Sequence, residues 1–265
     1  MTAGSVFDQN ASRKLEATYQ TPDVIAQRAA TLQALALQAG EHVVDVGSGP
    51  GLLAAEMAAQ VGPTGQVIGL DLSDSMLALS RQRHADLATS DCLSFLKADA
   101  VRLPFVDSTF DVAVSTQVYE YVPDVPAALA ELYRVLRPGG RVLILDTDWD
   151  SIVWAADDQA RMQRMLEAWI DRFADPHLPR SLSWQLQRAG FRVERREVLV
   201  LFNPEYDPDT YSVANGHIMA DFVVAQGRIQ REQAEAWMRD LQRLGSQGRY
   251  FFSLNRYLFL ATKRS

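Results

Sequence analysis

The sequence predicts an α/β protein whose central sheet is doubly wound, mainly parallel and seven-stranded. From Glu41 to about Lys263, short apolar runs alternate with longer segments of helical period, the pattern of strands joined by helices that cover both sheet faces. Hydrophobic residues make up 48% of the 265 and charged residues 22%, which suits a chain with a large buried core and not a disordered one. No internal repeat or low-complexity stretch interrupts the alternation.

The first helix is expected to begin at Thr21, a capping hydroxyl before Pro22. It would carry Val24, Ile25, Ala29, Leu32 and Leu35 on its buried stripe and stop at Gly40. Strands are expected at 42–46, 66–70, 92–98, 110–115 and 141–145. Asp124 caps a helix with Leu129, Leu132, Val135 and Leu136 on one face, closed by Pro138-Gly139-Gly140. Beyond Trp149 come helices near 157–173 and 180–189, the second ending at Gly190, and a strand at 191–202. Residues 203–249 read as two helices divided at Gly227, before an aromatic strand at 250–261. An insertion of that length between the last two strands would sit as a lid that shapes a ligand pocket.

Acids outnumber bases 33 to 26 and the isoelectric point is near 5.1. No overall positive field exists to hold a phosphate backbone or an anionic membrane, so neither nucleic acid nor a membrane is the expected partner. A single cysteine, Cys92, excludes an internal disulfide and a Cys-rich zinc site, and suits a reducing compartment. Met1 to Asn10 lacks a basic stretch followed by an apolar one, and nowhere do about 18 uncharged apolar residues run together. The expected location is cytoplasmic.

The strongest motif is Val43-Val44-Asp45-Val46-Gly47-Ser48-Gly49-Pro50-Gly51, an apolar strand running into a glycine-rich turn and a helix from about Leu52. Glycine supplies positive φ in such a turn and omits a Cβ where a ligand must lie on the backbone. The spacing is G-x-G-x-G with an acid two residues before the first glycine, whereas dinucleotide-binding turns usually show G-x-G-x-x-G. Next, Ile68-Gly69-Leu70-Asp71-Leu72-Ser73 puts an acid at the end of the second strand, 24 residues after Gly47. A carboxylate there accepts two hydrogen bonds from a ribose diol, or caps the helix that begins near Ser73.

Three further segments follow in order: Lys97-Ala98-Asp99-Ala100-Val101-Arg102-Leu103-Pro104-Phe105, Phe110-Asp111-Val112-Ala113-Val114-Ser115 and Leu132-Tyr133-Arg134-Val135-Leu136-Arg137-Pro138-Gly139-Gly140-Arg141. Together the series resembles class I S-adenosylmethionine-dependent methyltransferases, and more narrowly the small-molecule branch related to the ubiquinone and menaquinone C-methyltransferases. The resemblance covers roughly residues 19–150. It implies a Rossmann-like methyltransferase fold, S-adenosyl-L-methionine as cofactor, and methyl transfer to an oxygen, nitrogen or carbon of a small, aromatic or partly apolar metabolite.

Residue by residue, the resemblance implies that Gly47, Ser48 and Gly49 carry the methionine part of the cofactor, with Asp45 near its ammonium. Asp71 would hold the ribose hydroxyls, and Leu72 and Met76 would pack on the adenine. Asp99 would accept from its exocyclic amine and the Ala100 amide would meet a ring nitrogen. Gln117 would close over the cofactor and Tyr19 would cover it. One domain is expected: 1–40 as N-terminal cover and helix, 41–150 as cofactor-binding core, 151–202 as the rest of sheet and helices, 203–249 as helical lid, and 250–265 with the last strand. Such a chain is compatible with a homodimer. A sulfonium-binding enzyme or regulator that does not methylate, and a nicotinamide oxidoreductase on a similar sheet, stay open beside the methyltransferase.

In doubly wound sheets the ligand lies beyond the carboxyl ends of the strands, which places Gln117 to Tyr121, Asp146 to Asp150 and the late insertion around the substrate. Positioning supplies much of the rate of a methyl transfer, so a dedicated base is not obligatory. His217 in the lid is the candidate base, because a neutral imidazole takes a proton near pH 7. Tyr121 and Glu120 are candidates for orienting a substrate hydroxyl or amine. Asp146, Asp148 and Asp150 alternate as if for a hard cation, but acids after a strand usually face water and no metal is expected. Trp149, Trp154, Tyr206, Tyr211, Phe222 and Trp237 are candidates for an aromatic wall. After strand four the chain reads Ser115-Thr116-Gln117-Val118, without the Asp/Asn-Pro-Pro-aromatic turn of enzymes resembling nucleic-acid amino methyltransferases. One cysteine cannot serve the several-thiolate site of arsenite methyltransferases.

Overall fold

A strand that is apolar on both faces needs cover above and below, and four of the first five strands are of this kind, the third being an edge strand with one exposed face. A computed structural model describes residues 9–85 and 91–264. In it β1 (His42–Val46), buried from Val43 on, pairs in parallel with β2 (Gln66–Asp71) and with β4 (Phe110–Thr116). The strand β3 (Leu93–Lys97) lies outside β2, and β5 (Leu136–Thr147) lies beside β4, both parallel to their neighbours.

The far side of the sheet is antiparallel. A two-residue strand, β6 (Val153–Trp154), precedes β7 (Phe191–Asn203) and β8 (Phe252–Lys263). β8 runs antiparallel between β5 and β7, and β6 pairs with its first two residues. Among the described residues the sheet therefore has eight strands rather than the expected seven, the addition being β6. Two residues leave no periodicity to read, so this strand carried no signal.

On one face of the sheet α5 (Val125–Val135) and α7 (Pro179–Arg188) bury Leu129, Leu132, Leu182 and Leu186. On the other, α2 (Pro22–Leu35), α3 (Leu52–Val61) and α4 (Asp74–His84) bury Leu35, Met57, Ala58 and Leu77. In a third apolar cluster α6 (Gln159–Ile170), α8 (Tyr211–Ala225) and α9 (Arg231–Ser246) gather Met165, Trp169, Met219, Val223, Trp237 and Leu241 together with Leu201 of β7 and Phe252 and Leu254 of β8. α8 and α9 are the expected helices of the 203–249 insertion, joined across Gly227 at φ +67°. No helix among the described residues is long and apolar enough to cross a membrane.

Local signals worked where they are side-chain specific. Ser73 Oγ accepts from the Met76 amide at 3.3 Å and Asp124 Oδ1 from the Ala127 amide at 3.0 Å, as N-caps should. The N-terminal region departs from expectation. A helix α1 (Gln9–Thr18) precedes α2, and the Thr21 hydroxyl donates back to the Thr18 carbonyl at 2.9 Å instead of capping. α2 ends at Leu35, with Ala36 at φ +47°, before reaching Gly40. Ile25 and Ala29 are exposed, since only part of that helix's apolar stripe meets the sheet. Likewise Pro138–Gly140 does not close α5 but lies within β5, where the register steps from Phe110 opposite Leu136 to Val112 opposite Arg141.

Leu129 is fully buried between α5 and the sheet. Leu129→Ala is expected to lower the unfolding free energy by about 2 to 5 kcal/mol, through lost transfer energy and the cavity left behind. Val106→Ser, at a residue 78% exposed, should stay within about 0.5 kcal/mol of the parent. Urea titrations of both variants check the contrast.

Candidate active site

The turn after β1 is held first by backbone hydrogen bonds. The Gly47 and Ser48 amides both donate to the Leu70 carbonyl at 2.7 Å, which pins the turn to the end of β2. Gly47 sits at φ +75°, and a Cβ there would come within 2.2 Å of Val118 Cγ2. Glycine is therefore required both by conformation and by the closeness of the loop after β4. The Asp71 carboxylate joins the two strand ends, accepting from the Gly49 amide at 2.9 Å and the Ser73 amide at 2.8 Å. Burial raises its pKa and those amides oppose the rise.

A cavity of about 1280 Å³ opens beyond these strand ends. Tyr19, Gly47, Ser48, Gly49, Asp71, Leu72, Met76, Asp99, Ala100 and Gln117 all line it. Of the expected cofactor residues, only Asp45 does not. Asp45 is 2% exposed, and its Oδ2 has no hydrogen-bond partner among the described residues. Burial first, then the charge of Asp71, pushes its pKa up to about 7. Gln117 is also placed differently from the expectation that it closes over a ligand. It adopts φ +59°, rare for a residue with a Cβ, and its side chain is tied to β5, donating to the Leu145 carbonyl at 3.1 Å and accepting from Thr147 Oγ1 at 2.5 Å. It forms part of the floor.

The cradle fits an adenosyl amino acid on three counts. The turn leaves bare backbone facing the cavity, where a Cβ on Gly49 would meet nothing nearer than Tyr19 at 3.9 Å. Ser48 Oγ is buried without a partner among the described residues. The Asp71 oxygens each keep a lone pair beyond their amide bond, and Asp99 uses one oxygen on the Val101 amide at 3.2 Å, leaving its other for a donor.

The other half of the cavity is built from later segments. The one-turn helix Tyr119–Tyr121 after β4 delivers Glu120 and Tyr121, and α8 delivers Tyr211, Asn215, Ile218 and Phe222. Glu120, 1% exposed, accepts from Trp149 Nε1 at 3.0 Å. Burial pushes its pKa up to about 7, opposed by the Trp149 bond and by Arg256 and Arg172 nearby. Asp146, fully buried, accepts from the Val118 amide at 2.9 Å, and burial with the Glu120 charge holds its carboxyl well above the usual range. Tyr121 lines the cavity and its hydroxyl accepts from Arg172 Nε at 3.2 Å. Burial pushes that phenol up to about 12, so at neutral pH it is a donor and not a base.

His217 is not in this cavity, which corrects the expected base. Tyr211, Asn215, Ile218 and Phe222 recur at helical spacing on the inner face of α8, and His217 lies about 120° round the helix from them. It is exposed in a shallow depression with Asp221, Arg231 and Glu235. The alternating acids also divide. Asp146 turns under the β4 loop, whereas Asp148 and Asp150 grip Arg180 at 2.7 and 2.6 Å, with His177 3.2 Å from Asp148. Arg180 supplies the positive charge there. Of the expected aromatic wall, Trp149, Tyr211 and Phe222 line the cavity. Trp154 instead packs on Trp237 at 5.1 Å, and Tyr206 on Tyr250 at 5.5 Å.

Arg256, Arg172, Asn215, Trp169 and Phe173 also line the cavity and were not anticipated. For Arg256 a signal existed: β8 buries alternate residues from Phe252 through Leu254 to Leu258, and a cation occupies an inward position of that series.

Because the Asp45 pKa is higher in the folded than in the unfolded protein, the folded state binds the extra proton between about pH 4 and 7 and loses stability as pH rises through that window. Asp45→Asn removes this term. Its stability relative to the parent should therefore increase steadily from pH 4 to pH 7, a trend that denaturation curves at several pH values would expose or deny.

Comparison with known proteins agrees with this geometry. Residues 44–144 match the family described as "Methyltransferase domain". The ubiquinone/menaquinone biosynthesis C-methyltransferase UbiE of Pseudomonas putida is 40% identical over 116 residues, covering 44% of this chain and 45% of that protein. The demethylmenaquinone methyltransferase of Symbiobacterium thermophilum is 42% identical over 107 residues, 40% of this chain and 43% of that one. The chain thus spans less than half the length of either relative. Phosphoethanolamine N-methyltransferase 2 of Haemonchus contortus, solved with S-adenosyl-L-methionine, superposes with a TM-score of 0.64 at 20% identity, over 97% of this chain and 58% of that one. Residues 44–144 are thus similar to a methyltransferase domain, and the glycine turn and the acid on the neighbouring strand both lie within that stretch.

Proposed function

We propose that this chain transfers a methyl group from S-adenosylmethionine to an oxygen, nitrogen or carbon of a small, ring-bearing acceptor. One observation supports the reading above others: a single cavity joins the Gly47–Gly49 turn to side chains of Trp149, Trp169, Phe173, Tyr211 and Phe222. The first end suits the cofactor and the second a planar, partly apolar acceptor. Both curated relatives are named for methylation in quinone biosynthesis, which makes a quinone-like ring carbon the nearest finer assignment.

Bound in the cradle, the sulfonium would supply the methyl carbon for an in-line displacement. Asp71 would hold the sugar hydroxyls, Leu72 and Met76 would pack on the adenine, and the aromatic walls would hold the acceptor against the methyl. Orientation of that kind is worth up to about 7 to 11 kcal/mol in well-ordered systems. Glu120, with its pKa near 7, is the side chain placed to accept a proton from an acceptor hydroxyl or amine.

Calorimetry should show S-adenosylhomocysteine binding and NADH failing to bind; the reverse would overturn the reading. Asp71→Ala should weaken S-adenosylhomocysteine by about 1.5 to 3 kcal/mol, and Asp71→Asn by less, since it keeps one acceptor oxygen. Unchanged affinity in both would remove Asp71 from the sugar site. Incubation with trideuteromethyl-labelled cofactor and a panel of hydroxylated and amino aromatics, read by mass spectrometry, tests transfer itself. Retention of the label in the cofactor across quinols, phenols and anilines would leave binding without methylation.

A further inference from the structure

The acceptor half of the cavity holds more donors than its own residues satisfy. Arg256 is 2% exposed and lines the cavity. Its hydrogen-bond and ring partners are neutral: Nη1 donates to Gln27 Oε1, the side chain also hydrogen-bonds Tyr211, and the guanidinium carbon stands 4.7 Å from the Tyr211 ring centroid. Its Nε has no hydrogen-bond partner among the described residues. Asn215, one helical turn from Tyr211, is 5% exposed, lines the same cavity, and its amide nitrogen is also without a partner among the described residues. A buried cation on neutral partners and a buried amide donor left unmade are each costly, and together they ask for one anionic oxygen group.

The surrounding charges sharpen this. Arg28 and Arg228, also on the cavity, are matched by Glu56 and Asp171 in ion pairs. Arg256 has no such partner among the described residues. Glu120 is within electrostatic reach of Arg256, and burial keeps that carboxyl from being fully ionised at neutral pH. Position also matters. β4 and β5 separate β1 from β8, so three inter-strand steps, about 14 Å, lie between the strand that carries the cofactor turn and the strand that carries Arg256.

We propose that Arg256, Asn215 and Tyr211 form a subsite for a carboxylate carried by the methyl acceptor, whose ring rests against Trp149, Phe173 and Phe222. The inference depends on the methyltransferase reading of the cavity and narrows it to acidic aromatic acceptors. The same chemistry could come from the cofactor's own carboxylate, and the experiment separates the two sources.

The full chain, saturated with S-adenosylhomocysteine, is titrated calorimetrically with benzoate and with benzamide, which share shape and differ in charge. Benzoate is expected to bind roughly tenfold or more tightly than benzamide. Arg256→Met should erase that preference while S-adenosylhomocysteine affinity stays within about twofold of the parent. Asn215→Leu, which keeps the helix, should weaken benzoate several-fold and leave benzamide unchanged; if Arg256→Met does not fold, this variant and the parent comparison decide. Equal or absent binding of the two probes to the parent overturns the subsite, as does a benzoate preference that survives in Arg256→Met. A collapse of S-adenosylhomocysteine affinity in Arg256→Met, without a benzoate preference in the parent, assigns the cation to the cofactor and overturns the acceptor role. If the parent chain does not bind S-adenosylhomocysteine at all, it is the methyltransferase reading that fails, whichever probe the cavity prefers.

Discussion

Two amides on one carbonyl set the geometry on which the rest of the molecule depends. By donating to Leu70, Gly47 and Ser48 lock the turn after β1 to the end of β2, and the missing Cβ of Gly47 lets Val118 close from the β4 side. A parallel sheet splits open at its strand ends, and this bond pattern holds the split at a fixed width. Asp71 then bridges the gap with an acceptor on each side. The result is a cradle whose ligand-facing surface is mostly backbone, shaped by glycine and not by side-chain rotamers that could relax.

Opposite that backbone cradle lies a pocket governed by side-chain electrostatics. Glu120 and Asp146 are both buried; burial raises both pKa values, and the Glu120 charge adds to the rise at Asp146. Tyr119, whose hydroxyl has no partner among the described residues, is raised by burial and by the Asp146 charge. Arg256 and Arg172 oppose the rise at Glu120. Of these groups Glu120, Arg256 and Arg172 line the cavity, and shifted acids beside cations in a cleft are costly for a purely structural core. The two halves of the cavity thus do different work: one presents fixed amides, the other titratable groups whose charges depend on one another.

The cofactor half was the legible half because its constraints are local. Gly47, Asp71, Asp99 and the strands around them lie within short stretches where spacing translates directly into geometry, and all three line the cavity. The opposite wall is assembled from Tyr121, Arg172, Tyr211 and Arg256, which lie far apart in the chain and which no spacing rule connects. His217 was a reasonable base by chemistry, yet which face of α8 turns inward is decided by packing against the third apolar cluster, and that face belongs to Tyr211, Asn215 and Phe222. Thr21 and Gly40 failed for another reason. Ala36 already ends α2 in a left-handed turn, and Thr21 is held by the preceding turn's carbonyl, so tertiary position overrode ordinary terminal preferences.

The order of strands in the sheet differs from their order along the chain. β8 lies between β5 and β7 but follows both in sequence. While a ribosome is still making residues up to about 250, both neighbours must hold open hydrogen-bonding edges for a strand that does not yet exist. The nucleotide end can settle early, since β1 to β4 are already present, whereas the opposite wall waits for Arg256 to emerge. Nascent chains of this architecture would therefore pass through an interval in which the Gly47–Gly49 turn is formed and the cavity lacks the wall that carries Arg256, and aggregation through the two bare edges is the hazard of that interval.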